Sequence, residues 1–426
     1  MKKIKLSIVL PLGLALFAMF FGAGNLILPP FIGMQVTDQW LYALIGFTLT
    51  GIIAPFLGVW VVAKNGIDFT DLGKHTHPNI VWTLAAAIIW CIGPLVAIPR
   101  TGATTYEIAI KPFAPEISPT IGAIIFFVIT FLLSLSPSRI VDIIGKILTP
   151  VLVILLLILI FLGITTGYSN SISSIITPIQ SFQYSFIEGY QTLDVIASVV
   201  FAGIIISSLV HKGYTSINER EKSVFYAGII AIVCLFLIYG GLIYIGSHYQ
   251  IEDITRTELL MKISYDILGT YGSYAISIAI ALACFTTAIA LTDAFATFMT
   301  RLTNNKIPRI FYLTVCCLIS TYFAIMGVDN IITYAGGLLL FVYPIAFVMI
   351  LTILFFGRFI KSKIPYNTAI IVCGLLSLWN LINSFLDENH LLVSSKNYLP
   401  LNDLQLEWIL PSFLAFGIGV LLDKKL

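Results

Sequence analysis

Phe17-Ala-Met-Phe-Phe-Gly-Ala-Gly-Asn-Leu-Ile-Leu-Pro-Pro30 lies inside the first long apolar run of the chain, between Leu6 and Met34. That run is long enough to span a bilayer, which takes roughly 20 apolar residues. Gly22, Gly24 and Asn25 fall near its middle, and Pro29 and Pro30 follow at once. Glycine costs about 1 kcal/mol in a helix interior, and proline removes a hydrogen-bond donor. In lipid, a broken backbone persists only where protein or a wet cavity satisfies the freed groups. The stretch therefore predicts a helix that stops near Phe21 and restarts near Asn25. Its first half would end in carbonyls that attract a cation, and its second would begin with N–H groups that attract an anion. A free amino acid and a sodium ion suit such a break. The competing reading is a glycine packing face with a proline kink, since both are common in membrane helices.

Composition sets the frame. Of 426 residues, 58% are hydrophobic and 10% charged, with a mean hydropathy of +0.99. Soluble proteins carry about 25% charged residues, so this is an integral membrane protein with short loops. A net charge of +2 gives no nucleic-acid footprint. Lys2, Lys3 and Lys5 ahead of the apolar run resemble a signal peptide, but no small-residue cleavage site stands out, and the run is read as an uncleaved first span. Cys91, Cys234, Cys284, Cys316, Cys317 and Cys373 have no C-x-x-C spacing, so neither a disulfide framework nor a zinc site is indicated.

The apolar runs cover 6–34, 40–63, 80–108, 119–135, 140–166, 189–210, 223–246, 267–300, 308–326, 330–357, 365–386 and 406–422. They predict twelve helices, and an even number puts both termini on one side. With the N-terminus inside, 18 of the 23 Lys and Arg residues fall in cytoplasmic segments and 5 outside. The positive-inside rule thus predicts cytoplasmic termini. The first run crosses outward and the sixth inward. Runs one to five and six to ten, about 5–166 and 189–357, would then be inverted copies, an arrangement many secondary transporters use. A further helix pair would occupy about 364–423, all within one membrane domain over 1–426. Inversion predicts a break in the sixth run as well, and Gly203, just past its centre, is where the sequence offers one. An ordinary glycine in an unbroken span is the alternative.

Polar groups inside the runs supply candidates. Thr286 and Thr287 offer adjacent hydroxyl oxygens that suit Na⁺ as hard ligands, although threonine hydroxyls also bond back to their own helix. Asp194 and Asp293 are intramembrane carboxylates, candidates for a proton or ion relay, with capping or pairing to a basic residue as the structural alternative. Arg100 and Glu107 lie seven apart near the outer end of the third run and read as solvated or mutually paired. There is no H-E-x-x-H, P-loop or G-x-S-x-G motif and no carboxylate cluster of metal spacing, which argues against an enzyme, a nucleotide-driven pump and a resident cofactor. A passive channel would need rings of charge or carbonyls along a polar pore, and none is evident.

Gly13-Leu-Ala-Leu-Phe-Ala-Met-Phe-Phe-Gly-Ala-Gly-Asn-Leu-Ile-Leu-Pro-Pro-Phe-Ile-Gly33 resembles the first helix of the bacterial branched-chain amino acid:cation symporters. Gly189-Tyr-x-Thr-Leu-Asp194 and Cys284-Phe-Thr-Thr-Ala-Ile-Ala-Leu-Thr292 resemble that family too, and the likeness spans the whole length. The family is similar in architecture to the LeuT-type superfamily. The resemblance implies an all-α integral membrane fold of twelve transmembrane helices. They would form a 5+5 inverted repeat with broken helices 1 and 6, plus two extra helices. It implies substrate contacts at Gly22, Ala23, Gly24 and Asn25, with amides near Ala23 and Gly24 on the carboxylate and Asn25 bracing the break. A sodium site would combine the Ala18, Phe21 and Ala283 carbonyls with the Thr286 and Thr287 hydroxyls. Helix 6 departs from the superfamily in lacking closely spaced glycines, and Phe201, Gly203 and Ile204 stand as its contacts. The implied partners are leucine, isoleucine and valine, the lipid bilayer, and Na⁺ or H⁺ as coupling ion. The implied activity is symport into the bacterial cell across the cytoplasmic membrane by alternating access, of these substrates or of another amino acid or small zwitterion.

Overall fold

The computed structural model is helical throughout, with no strand among the described residues. It describes residues 6–22, 25–135, 139–165, 176–383, 400–401 and 406–423, with only the backbone for 139–149. Ala23 and Gly24 lie outside that set.

The first run divides into α1 (Leu6–Phe20) and α2 (Leu28–Val36). The break falls where the sequence places it, with the second half restarting at Leu28 rather than Asn25. Pro29 and Pro30 stand in the first turn of α2, where a missing N–H costs nothing. The prolines therefore start the second half rather than kink a continuous helix. The second run is α3 (Trp40–Phe47) and α4 (Ala54–Asn65), joined by a π-helical turn at Thr48–Ile53. The third is α5 (Pro78–Trp90) and α6 (Ala97–Thr105), joined by another π turn at Cys91–Leu95 that carries a non-helical Gly93.

Next come α7 (Pro119–Leu135), α8 (Arg139–Thr165), α9 (Pro178–Glu188), α10 (Asp194–His211), α11 (Ile217–Gly246) and α12 (Arg256–Leu302). The chain continues with α13 (Arg309–Ala324), α14 (Val328–Phe356), α15 (Ile364–Asn383) and α16 (Ile409–Leu422). Each apolar run holds helix among its described residues. Among the described residues, seven stretches are long and apolar enough to cross a membrane, and five shorter apolar helices accompany them. On α7 the outward face is Ile121, Ile124, Ile125, Val128 and Leu132, while Gly122, Ala123, Phe126, Phe127 and Thr130 are buried. An apolar outer face with small and polar groups inside is the pattern of a helix solvated by lipid.

The helices pack as two groups. Both halves of the first run lie on α11, and α4 packs on α10 and α11. In the other group α12 packs on α6, α8 and α13, and α13 on α6 and α7. Gly33 and Gly246 allow a close backbone approach in the first group. A Cβ on Gly33 would stand 2.0 Å from the Ile243 carbonyl oxygen, and one on Gly246 would stand 2.0 Å from that of Pro30.

Helix α12 opens with a capping box, Thr255 to Glu258, and bends at Gly269, whose φ of 68° and ψ of −171° are reserved almost wholly for glycine. No atom crowds the position, so the backbone alone selects the residue. Gly269→Ala is expected to cost about 1–3 kcal/mol, read as a lower melting temperature of the purified protein.

Candidate functional site

The second break lies between α9 and α10, earlier in the chain than Gly203. A 3-10 turn at Gly189–Thr192 ends at Leu193, a buried residue in the left-handed region (φ 63°, ψ 3°). The expectation of a break at Gly203 is thereby corrected: α10 runs through it unbroken. One glycine costs a helix only about 1 kcal/mol, less than packing supplies. Gly203 faces the Ile67–Asp68 loop, Ile204 is 59% exposed on the outer surface, and Phe201 packs on Phe20 at 6.2 Å between ring centroids. None of the three is at the break.

A left-handed leucine costs about 1–2 kcal/mol and persists where neighbours over-determine it. Those neighbours are present. The Leu193 N–H donates to the Tyr190 carbonyl at 3.0 Å. The Tyr190 ring stacks on Tyr343 at 3.9 Å, and the Tyr343 hydroxyl donates to the Thr50 carbonyl at 2.7 Å. Gln191 Nε2 donates to the Ile332 carbonyl at 3.2 Å.

The two breaks meet. Asn25 Nδ2 donates to Asp194 Oδ2 at 3.0 Å and Oδ1 at 3.2 Å, and it also reaches the Phe20 carbonyl at the end of α1 at 3.2 Å. Arg100 Nη2 donates to Asn25 Oδ1 at 3.1 Å, and Arg100 Nη1 donates to the Gln191 carbonyl at 2.5 Å. Asn25 and Arg100 are each 3% exposed and Asp194 5%. Asp194 stands in the first turn of α10, where helix N–H groups favour a negative charge. Around the polar centre Phe17, Phe21, Phe47 and Tyr239 form an aromatic wall, with the Tyr239 hydroxyl on the Phe20 carbonyl at 3.4 Å. Gly22 lies within the first break, its carbonyl accepting the Asn25 N–H at 2.9 Å.

Arg100 is the residue that sequence reasoning placed wrongly. It is neither solvated nor paired with Glu107, which instead accepts from the Thr257 hydroxyl at 2.6 Å and the Val328 N–H at 2.9 Å. The π turn and the non-helical Gly93 bend the third run ahead of Arg100, and Glu107 itself stands within a second π turn, Tyr106–Ile110, outside the regular helix that carries Arg100. The signal available was composition. Ala97-Ile-Pro-Arg-Thr-Gly-Ala-Thr-Thr105 is a small, polar run inside an apolar span, and Ile98 through Thr105 are all buried.

Of the expected sodium ligands, Ala18 is on α1 and Phe21 just beyond it, while Ala283, Thr286 and Thr287 are on α12, which packs on the first run chiefly through α2. The Thr286 hydroxyl donates to the Ala283 carbonyl of its own helix at 2.9 Å. Asp293 is paired with Arg309, which also donates to the Ser134 carbonyl at 2.9 Å.

Beside Phe31 of α2, Arg256 gathers two carboxylates. It bonds Glu188 at 3.1 Å and Asp329 at 2.5 Å, and its guanidinium lies 4.4 Å from the centroid of the Phe31 ring. One cation on α12 thus ties α9, α14 and α2 together. Removing one partner of a shielded ion pair costs about 3–5 kcal/mol because the other charge is stranded. Arg256→Gln is expected to lower the melting temperature, and adding Glu188→Gln is expected to recover part of the loss. A double variant no more stable than the single would assign Arg256 to packing on Phe31 alone.

The comparisons agree with this architecture. A family model described as branched-chain amino acid transport protein matches residues 5–426. A protein named as a branched-chain amino acid carrier in Staphylococcus aureus (strain bovine RF122 / ET3-1) is 34% identical over 437 residues, covering 97% of both chains. One from Staphylococcus saprophyticus is 35% identical over 440 residues, again covering 97% of each. Among solved structures, the inward-facing conformation of Mhp1 has a TM-score of 0.61 at 12% identity, covering 96% of this chain and 90% of that one. MhsT in complex with L-phenylalanine has a TM-score of 0.56 at 14% identity, covering 97% of this chain and 98% of that one. The structural likeness gives the fold, a LeuT-type arrangement of helices. The family follows from the match along the whole length: this chain is a multi-pass membrane protein that belongs to the branched-chain amino acid transport protein family, whose members are transporters and not enzymes.

Proposed function

We propose that the protein takes up leucine, isoleucine and valine by cation-coupled symport, with Na⁺ as the driving ion. The observation that carries the reading is the meeting of two helix breaks at Asn25 and Asp194, beside a buried guanidinium and an aromatic wall. A zwitterion with an aliphatic side chain needs these parts: fixed charges, backbone ends of both polarities and an apolar flank. The bilayer is the bacterial cytoplasmic membrane, with both termini inside, as the lysine and arginine distribution favours. The group containing α1, α2, α4, α10 and α11 rocks against the group containing α6, α7, α12 and α13, and Arg256 closes the outer side. Ala18, Phe21, Ala283, Thr286 and Thr287 remain the ligand set for Na⁺, assembled when α1 swings toward α12. Gly22, Ala23 and Gly24 supply backbone contacts to the substrate.

One charge moving through a potential of ~100 mV supplies about 2.3 kcal/mol, roughly a 40-fold accumulation. Selectivity among the three substrates is expected to be weak, because one buried methylene is worth only ~0.8 kcal/mol. Proton coupling is the second reading, and one observation favours it: Asp194 is a buried carboxylate with no ion-pair partner among the described residues. Radiolabelled leucine uptake into proteoliposomes, under a Na⁺ gradient in one set and a pH gradient in the other, tests both. Concentrative uptake with Na⁺ alone supports the first reading. Uptake with the pH gradient alone supports the second and turns attention to Asp194. Concentrative uptake under neither sinks the symport reading.

A further inference from the structure

Arg100 and Asp194 are opposite charges that do not meet. Both are buried, yet neither enters an ion pair within 4.0 Å among the described residues. Taking a charge out of water costs several kcal/mol per ion, which a direct pairing would partly offset. Instead the Asn25 amide stands between them, accepting from Arg100 at 3.1 Å and donating to Asp194 at 3.0 Å. A guanidinium only donates and a carboxylate only accepts, so the amide can face the two in one sense alone. Its oxygen does what a substrate carboxylate would do, and its nitrogen does what a substrate ammonium would do.

We propose that Arg100 receives the α-carboxylate and Asp194 the α-ammonium of the transported amino acid, while the Asn25 amide satisfies both charges when the site is empty. The assignment rests on the amino-acid reading above and gives it side-chain partners in addition to backbone amides. The three residues come from three elements: Arg100 from α6, Asn25 from the first break and Asp194 from the start of α10. A zwitterion seated between the charges therefore bridges the two packed helix groups, and the amide it displaces is released toward Phe20, whose carbonyl it already reaches.

The test uses ligand-induced thermal stabilisation of the full-length purified protein, titrated with leucine, with isoamylamine (leucine without its carboxylate) and with 4-methylpentanoate (leucine without its ammonium). In the wild type each analogue is expected to bind at least about 30-fold more weakly than leucine, as loss of a charged hydrogen-bonding partner implies. Arg100→Gln should weaken leucine by about 30- to 100-fold and leave isoamylamine within about 3-fold of its wild-type value. Asp194→Asn should do the same with 4-methylpentanoate as the spared ligand. Arg100→Lys, which keeps the charge, should recover part of the leucine affinity and serves if the glutamine variant does not fold.

Equal weakening of all three ligands by either substitution would make these residues structural and overturn the assignment. So would an Asp194→Asn variant that shifts the Na⁺ dependence while leaving ligand preference unchanged, since Asp194 would then hold the coupling ion. If the wild type is stabilised by another amino acid but not by leucine, isoleucine or valine, the substrate reading fails. The charge assignment is then decided with that amino acid's own two analogues. Stabilisation by no zwitterion at all would overturn both.

Discussion

Uptake is expected to be lost in Asn25→Leu, with a fall of at least about 100-fold in initial rate and a loss of about 3 kcal/mol or more in folding stability. The leucine side chain is close in size but offers neither donor nor acceptor. Arg100 would lose the acceptor at 3.1 Å and Asp194 its donor at 3.0 Å, both inside the bundle. The Phe20 carbonyl would lose one of the groups that cover the end of α1. Hydrogen bonds to charged groups are worth about 1.5–3 kcal/mol each, so the effects compound. Radiolabelled uptake with melting of the purified variant checks both parts. Normal uptake would remove Asn25 from the site, whatever its geometry.

The second large effect is expected in Gly246→Leu. The position faces the Pro30 carbonyl, a backbone atom at the start of α2 that cannot swing aside as a side chain could. Overpacking inside a well-packed interior costs about 1–3 kcal/mol, and a Cβ aimed at backbone belongs at or above the top of that range. The expected outcome is separation of α2 from α11, a strongly lowered melting temperature and loss of uptake. Gly417→Leu is the control, because a Cβ there meets no atom within 4 Å. If the two variants melt alike, the close approach of α2 to α11 does not govern the position of the first break.

The two helix breaks differ in how readily the chain discloses them. The first break is local chemistry. Glycines, an asparagine and two prolines crowded into one apolar run cannot continue a helix, and the structure interrupts it there, between Phe20 and Leu28. The membrane class and the apolar runs are equally local, because lipid demands long apolar stretches and leaves their traces in composition. The pairing of Asp293 was also legible, as one of two readings, from its distance to a basic cytoplasmic end.

The second break was not legible. Leu193 carries no conformational signature; its left-handed backbone is held by the Tyr190–Tyr343 stack, by Gln191 on Ile332 and by the packing of α9, all of which join residues remote in sequence. Gly203 attracted the prediction because glycine is a visible helix breaker, but one glycine is outweighed by packing along α10. Arg100 was misread for a related reason. Helical spacing placed it beside Glu107, whereas the π turn and bend at Gly93 just ahead of it set the direction of α6, on which Arg100 is buried against the second break. The sequence by itself determined a membrane bundle with an interrupted first helix, because the cost of glycine and proline in a helix is paid where they stand. The tertiary structure alone decided where the second helix breaks and which charges share the centre, because a strained leucine and a buried guanidinium exist only where distant elements hold them.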